Sequence, residues 1–133
     1  MCRALVPGDR QYSDEQIRRL IERDAVIGMA LDAWMLHPGW VAGQTSCEAV
    51  SIEAVADHVD HVCQLAGNTR HVGIGSDLDG GFGHEQCPRE LKSITDLHKL
   101  EAVLAGRGYG NADIDAIFFG NWLRFFGEAL PAE

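Results

Sequence analysis

The stretch Arg70-His71-Val72-Gly73-Ile74-Gly75-Ser76-Asp77 reads as a short buried β-strand that is broken by glycines and ends on a carboxylate. Glycine inside a strand marks a place where another group approaches the backbone closely. An earlier run, Ala25-Val26-Ile27-Gly28-Met29-Ala30-Leu31, is continuously apolar over one strand length, as expected of a strand covered on both faces. Between the two, Ser51 caps a helix in which Ile52, Val55, Ala56, Val59, Val62 and Cys63 form one apolar stripe that ends near Gly67-Asn68. Strand, amphipathic helix, strand is the pattern of parallel pairing, so the sequence predicts an α/β architecture.

The flanks extend this alternation. Ser13-Asp14-Glu15-Gln16 has capping-box spacing, and Ile17, Leu20 and Ile21 follow at helical intervals, which predicts a helix over 14–23. Residues 32–50 carry Asp32, Trp34, His37-Pro38-Gly39-Trp40 and Gly43, the chemistry of a long functional loop. Thr95 to Ala105 is helical in character. Asn111 is expected to cap a last helix whose Ile114, Ile117, Phe118, Trp122, Leu123, Phe125 and Phe126 form an aromatic core face. Two strands are few for a doubly wound sheet or a barrel, so the stretch reads as the end of something larger.

Composition bounds the function. The 133 residues are one domain's worth, 46% hydrophobic and 23% charged, which excludes collagen, low-complexity disorder and membrane-spanning chains. Eleven basic against twenty acidic residues give a net charge of -9, unfavourable for a nucleic-acid partner or an anionic membrane. Cys2, Cys47, Cys63 and Cys87 form no Cys-x-x-Cys pair and are expected to be reduced thiols. No targeting segment or membrane-spanning run is visible, and a cytoplasmic location is the default expectation.

The block from Gly73 to Gly81 resembles two glycine motifs and satisfies neither. A dinucleotide fingerprint needs glycine where Leu78 stands, and a calcium loop needs a ligand at Gly81 and glycine at Phe82. What remains is Asp77 at the C-terminal end of a buried strand, where parallel α/β barrels place catalytic and metal-binding groups. The plain alternative is that Asp77 and Asp79 shape a turn. His58 and His61 stand three apart beside Asp57 and Asp60, a spacing that seats a metal, yet they fall off the apolar stripe on an expected solvated face, which favours a non-ligand role. His71 precedes its strand at the end remote from Asp77, a packing or capping position. His37 and His84 sit in loops. Trp34, Trp40 and Phe82 are expected to anchor loops more than to line a pocket, and Arg10 is a loop guanidinium able to meet a carboxylate or an oxyanion. The thiols lack a histidine partner in sequence, which argues against a cysteine nucleophile.

The chain resembles the C-terminal part of the membrane (renal) dipeptidase family, peptidase family M19. The likeness rests on Ser13-Asp14-Glu15-Gln16-Ile17-Arg18, on Ala25 to Met29, on His58-Val59-Asp60-His61, on His71 to Gly80 with its Gly-Ser-Asp-x-Asp-Gly core, and on Gly120-Asn121-Trp122-Leu123-Arg124. It implies a (β/α)8 TIM-type barrel of which Ala25–Leu31 and Val72–Asp77 are strands seven and eight, with residues 1–133 an incomplete C-terminal part of the barrel domain. It implies a zinc-dependent dipeptidase acting through a hydroxide that bridges two zinc ions. Asp77 would be both catalytic and a metal ligand, handling the proton of the bridging water, and Arg10 would bind substrate during carbonyl attack. The family's remaining ligands, a His-x-Asp, a bridging Glu and two His, come from strands upstream of residue 1. The stretch alone is therefore expected to retain no zinc pair and to be inactive, with a dipeptide as the substrate of the full-length form and an N-terminal half or a homo-oligomer as partner. The alternatives are a non-catalytic half-barrel that needs an N-terminal partner, or another metal-dependent amidohydrolase.

Overall fold

In the computed structural model, residues 1–78 and 80–131 are described. Helix α1 (Asp14–Glu22) begins with the expected capping box: Ser13 Oγ accepts from the Gln16 amide at 3.3 Å, and Gln16 Oε1 accepts from the Ser13 amide at 2.9 Å. These bonds satisfy two amides that have no intrahelical partner. Strand β1 (Ile27–Ala30) and strand β2 (Val72–Ser76) pair in parallel, Ile27 opposite Val72 and Met29 opposite Ile74. The register then slips, Ala30 facing Ser76, so that Gly75 is left over as a bulge.

Helix α3 (Glu53–Ala66) makes the crossover, after a short helix α2 (Ala33–Leu36) inside the long loop that follows β1. The stripe behaves as predicted: Val55, Ala56, Val59 and Val62 are fully buried, with Met29, Leu31 and Val72 of the strand segments in the same core. Gly67 ends the helix in the left-handed conformation at φ 72°, which glycine adopts without Cβ strain. The start of α3 differs from expectation, because Ser51 does not cap alone. Ser51 Oγ accepts from the Glu53 amide at 3.3 Å and donates to Glu90 Oε1 at 3.0 Å, while Glu90 Oε2 accepts from the Ile52 amide at 2.9 Å.

Helix α4 (Lys99–Gly106) follows a 3-10 segment, and the last helical stretch divides into α5 (Asn111–Asp115), a π-helical turn over Ala116–Gly120 and α6 (Asn121–Ala129). Asn111 is the first helical residue, not the cap. The N-cap is Gly110, whose own amide donates to the Asp113 carboxylate at 3.2 Å. The core face of this stretch differs from the predicted one. Ile114 and Ile117 are buried, but Leu123 is 68% exposed and Phe126 48%, while the polar Asn121 turns inward at 5%. Asn121 Nδ2 donates to Thr69 O at 2.7 Å and to Val72 O at 2.8 Å. Trp122 Nε1 donates to Ile74 O at 3.0 Å, stacked on Phe126 with ring centroids 5.6 Å apart. A Cβ on Gly73 would lie only 2.8 Å from Trp122 Cε2. The indole is the close approach that the strand glycines imply.

Candidate functional site

Both strands run the same way, so their C-terminal ends lie at one edge of the sheet. The Leu31 amide donates to Ser76 O at 2.7 Å, fixing the exits of β1 and β2 side by side. Asp77 leaves β2 at this edge. Ser76 and Asp77 are both left-handed, at φ 64° and 61°, a conformation that costs non-glycine residues roughly 1–2 kcal/mol each and persists only where surrounding bonds impose it. Those bonds are present. The Asp77 amide donates to Gly75 O at 2.9 Å, the Leu78 amide to Ser76 Oγ at 3.1 Å, and the Gly80 amide to Asp77 O at 3.0 Å. A Cβ on Gly80 would come within 3.1 Å of Asp77 Cγ, so glycine there leaves room for the carboxylate, which is exposed. Asp79, singled out with Asp77 in the sequence, lies outside the described residues.

Arg10 reaches the same edge by a different route. Its guanidinium carbon lies 5.2 Å from the centre of the Trp34 ring, and Trp34 is the second residue of α2, just past β1. The neighbouring Gln11, 2% exposed, donates Nε2 to Met35 O at 3.1 Å and ties the Arg10 loop to α2. Asp32, 4% exposed, caps α2 by accepting from the Trp34 amide at 3.3 Å and also accepts from Gln86 Nε2 at 2.9 Å. It therefore joins α2 to the loop that follows Asp77. Gln86 is a support that the sequence did not single out, and Asp32, named there only as loop chemistry, acts as the cap. Asp32 did carry a signal, standing one residue past an apolar strand and two before Trp34, the spacing of a helix cap.

The histidines are placed elsewhere. His58, expected on a solvated face, is buried at 1% exposure because the N-terminal segment and α1 cover that side of α3. Its Nδ1 accepts from the Cys2 amide at 3.1 Å, and burial lowers its pKa to about 4, helped by the positive N-terminus and by His61. His61 Nε2 meets Asp14 Oδ1 at 2.7 Å. His71 Nδ1 meets Ala25 O at 3.0 Å at the opposite, N-terminal edge of the sheet, which is a packing role. All four thiols are free, and burial pushes Cys2, Cys63 and Cys87 up to about 11. Phe82 lines an apolar cavity of about 380 Å³ with Leu78, Cys87, Leu91 and Ile94, whereas Trp40 is packed against the core.

Among the described residues no three His, Cys, Asp or Glu side chains come together in a way that holds a metal ion. A two-metal centre therefore does not fit these residues by themselves, since one carboxylate cannot supply a tetrahedral ligand set.

A parallel α/β unit with a constrained carboxylate at its strand ends is the kind of segment from which enzymes of the barrel type build their sites. The membrane dipeptidase family, peptidase family M19, matches residues 1–132, and the chain belongs to that family. A dipeptidase of Aspergillus oryzae, aclJ, is 34% identical over 125 residues, 94% of this chain and 27% of its own length. A metallopeptidase of Rhodobacter sphaeroides, solved with a phosphinate mimic of the dipeptide L-Ala-D-Ala, superposes with a TM-score of 0.80 at 27% identity over 95% of this chain and 33% of its own. A solved M19 metallopeptidase, dipeptidase AC, gives 0.83 at 27% identity over 98% of this chain and 36% of its own. The chain thus spans about a quarter to a little over a third of the length of these relatives. No helix among the described residues is long and apolar enough to cross a membrane.

Proposed function

We propose that this chain supplies the last two strands of a TIM-type metallo-dipeptidase barrel, with Asp77 and Arg10 as its contribution to the active site. What supports this reading, in a chain of the M19 family, is that Asp77 follows β2 at its C-terminal end and that Arg10 lies over Trp34 of α2, the helix that follows β1. In hydrolysis of a dipeptide, the Asp77 carboxylate takes the proton of the attacking water and passes it to the leaving amine. The Arg10 guanidinium donates hydrogen bonds to the oxygen on which negative charge grows as the carbonyl becomes tetrahedral. Asp77 is also the metal ligand that the described residues would offer. Two zinc ions need further ligands from outside the described residues, which makes the chain inactive by itself and active with an upstream barrel portion. A cytoplasmic setting suits the four free thiols.

A second reading, a non-catalytic half-barrel that serves as an interaction module, draws on the exposed apolar face of Phe119, Leu123, Phe126 and Leu130. Complementation separates the two. The chain is mixed with the part of the Rhodobacter sphaeroides metallopeptidase that it does not match, zinc is added, and hydrolysis of L-Ala-D-Ala is followed. Turnover by the mixture, absent from either piece, supports the dipeptidase reading. A tight complex without turnover favours the interaction module.

A further inference from the structure

Among the described residues, no carboxylate neutralises the charge of Arg10. Its guanidinium is exposed and has no carboxylate within ion-pair distance among the described residues, although the chain carries twenty acidic residues. Arg70, Arg107 and Arg124 are each held by Asp or Glu, and of the arginines outside ion-pair distance among the described residues, Arg10 is the one set over an aromatic ring. What holds Arg10 is the indole of Trp34 at 5.2 Å. A cation over an aromatic face keeps its orientation while its N–H groups stay free to donate at the edge, which an ion pair would not allow.

The platform itself is fixed on three sides. Trp34 is half-buried, its amide is capped by the buried Asp32, and Asp32 is in turn held by Gln86 from the loop beyond Asp77. The Arg10 loop is clipped to the same helix through the buried Gln11 and Met35 O. A long, flexible side chain is thereby restrained by a ring that is rigidly attached to the end of β1, at the edge where Asp77 emerges. An ion pair would fix the same side chain but consume the charge.

We propose that Trp34 is the positioning residue for Arg10: its indole face holds the unpaired guanidinium at the C-terminal edge of the sheet, ready to meet the oxyanion that develops on a dipeptide carbonyl. The inference rests on the dipeptidase reading for its substrate and on the Arg10–Trp34 stack for its geometry. It predicts that Trp34 acts on the chemical step and not on ground-state binding, because the oxyanion exists only as the bond breaks.

The test has two readouts. In the isolated chain, the Arg10 Nε–H proton is shifted upfield by the indole ring; Trp34→Leu removes that shift and Trp34→Phe retains part of it. In the complemented enzyme, Trp34→Leu lowers kcat about tenfold with little change in KM, as loss of a cation–π restraint implies. Trp34→Phe recovers most of the rate, and Trp34→Leu has no further effect once Arg10 is alanine. Far-UV circular dichroism and the urea midpoint establish that each variant is folded. An Arg10 resonance unmoved by Trp34→Leu overturns the inference, as does a moved resonance with wild-type kcat. If the complemented wild-type chain never turns over a dipeptide, the dipeptidase reading fails and the catalytic role of Trp34 fails with it, while the resonance still decides whether the stack exists.

Discussion

Replacing Gly73 with alanine tests how the last helix is locked to the strand that ends in Asp77. The new methyl would sit 2.8 Å from Trp122 Cε2 and 2.9 Å from Cδ1, whereas carbon atoms pack at about 3.5–4.0 Å. The indole must therefore withdraw by roughly 1 Å, which stretches or breaks its 3.0 Å hydrogen bond to Ile74 O. Overpacking costs about 1–3 kcal/mol. The lost hydrogen bond adds about 1 kcal/mol, and relief of glycine's backbone entropy returns about 0.5 kcal/mol. The net expectation is a loss of about 2–3 kcal/mol, the half-buried indole having some freedom to swing outward. Urea unfolding followed by circular dichroism at 222 nm measures it, with the m-value expected to stay constant. The decisive comparison is the same substitution in a Trp122→Leu background, where the clash is gone and the cost should fall below about 0.5 kcal/mol. Equal costs in the two backgrounds would refute the reasoning, because the penalty would then arise from the strand and not from the indole.

Other outcomes follow from the same contacts. Asn121→Ala leaves Thr69 O and Val72 O without their side-chain donor and is expected to destabilise the chain by about 2 kcal/mol in the same unfolding assay. His58 has its pKa lowered from 6.5 to about 4 in the folded chain, so the unfolded state binds the proton first as pH falls. The stability it contributes is present above about pH 6.5 and drains away towards pH 4, a loss of about 2 kcal/mol between pH 7.5 and pH 5, and a His58→Gln variant should flatten that part of the urea-midpoint profile. Arg107 bridges Glu53 at 2.6 Å, Asp57 at 2.9 Å and Asp60 at 2.5 Å. Arg107→Ala leaves three carboxylates facing one another on α3, and its destabilisation, about 1–2 kcal/mol at low ionic strength, should shrink in 0.5 M salt as measured by thermal melting.

Much of the fold was legible in the sequence because its signals are local. The stripe from Val55 to Val62 and the capping box at Ser13 each depend on neighbours a few residues apart and formed as read, and the apolar run at 25–31 yielded its strand over the shorter span Ile27–Ala30, fully buried at alternate residues instead of on both faces. What was not legible depends on distant contacts. His58 was read as solvated because its own helix gives no hint that Met1, Cys2 and α1 lie over that side. Leu123 and Phe126 read as core because they are large and apolar, yet the buried positions are Ile114, Ile117 and Asn121, three and four residues apart on one helix face, and the inward place of that face is taken by a polar residue that bonds Thr69 O and Val72 O. At the candidate site, Asp77 stood out by its place at a strand end, and the glycines announced a close approach without naming Trp122 as the group that makes it. Arg10 looked like an ordinary loop arginine until family resemblance singled it out. Its stack on Trp34 joins residues twenty-four positions apart and leaves no periodic trace.

The central claim is that Asp77 serves dipeptide hydrolysis, and Asp77→Asn in the complemented, zinc-supplied enzyme tests it most directly. The substitution keeps size and hydrogen-bonding capacity at the strand end but removes the proton acceptor. The account predicts that L-Ala-D-Ala turnover falls by at least a factor of about 10², the contribution of a positioned acid–base group, while the two pieces still associate and the urea midpoint of the chain stays within error. Turnover at the wild-type rate in a correctly assembled Asp77→Asn enzyme would contradict it and leave Asp77 as a residue that only shapes a turn.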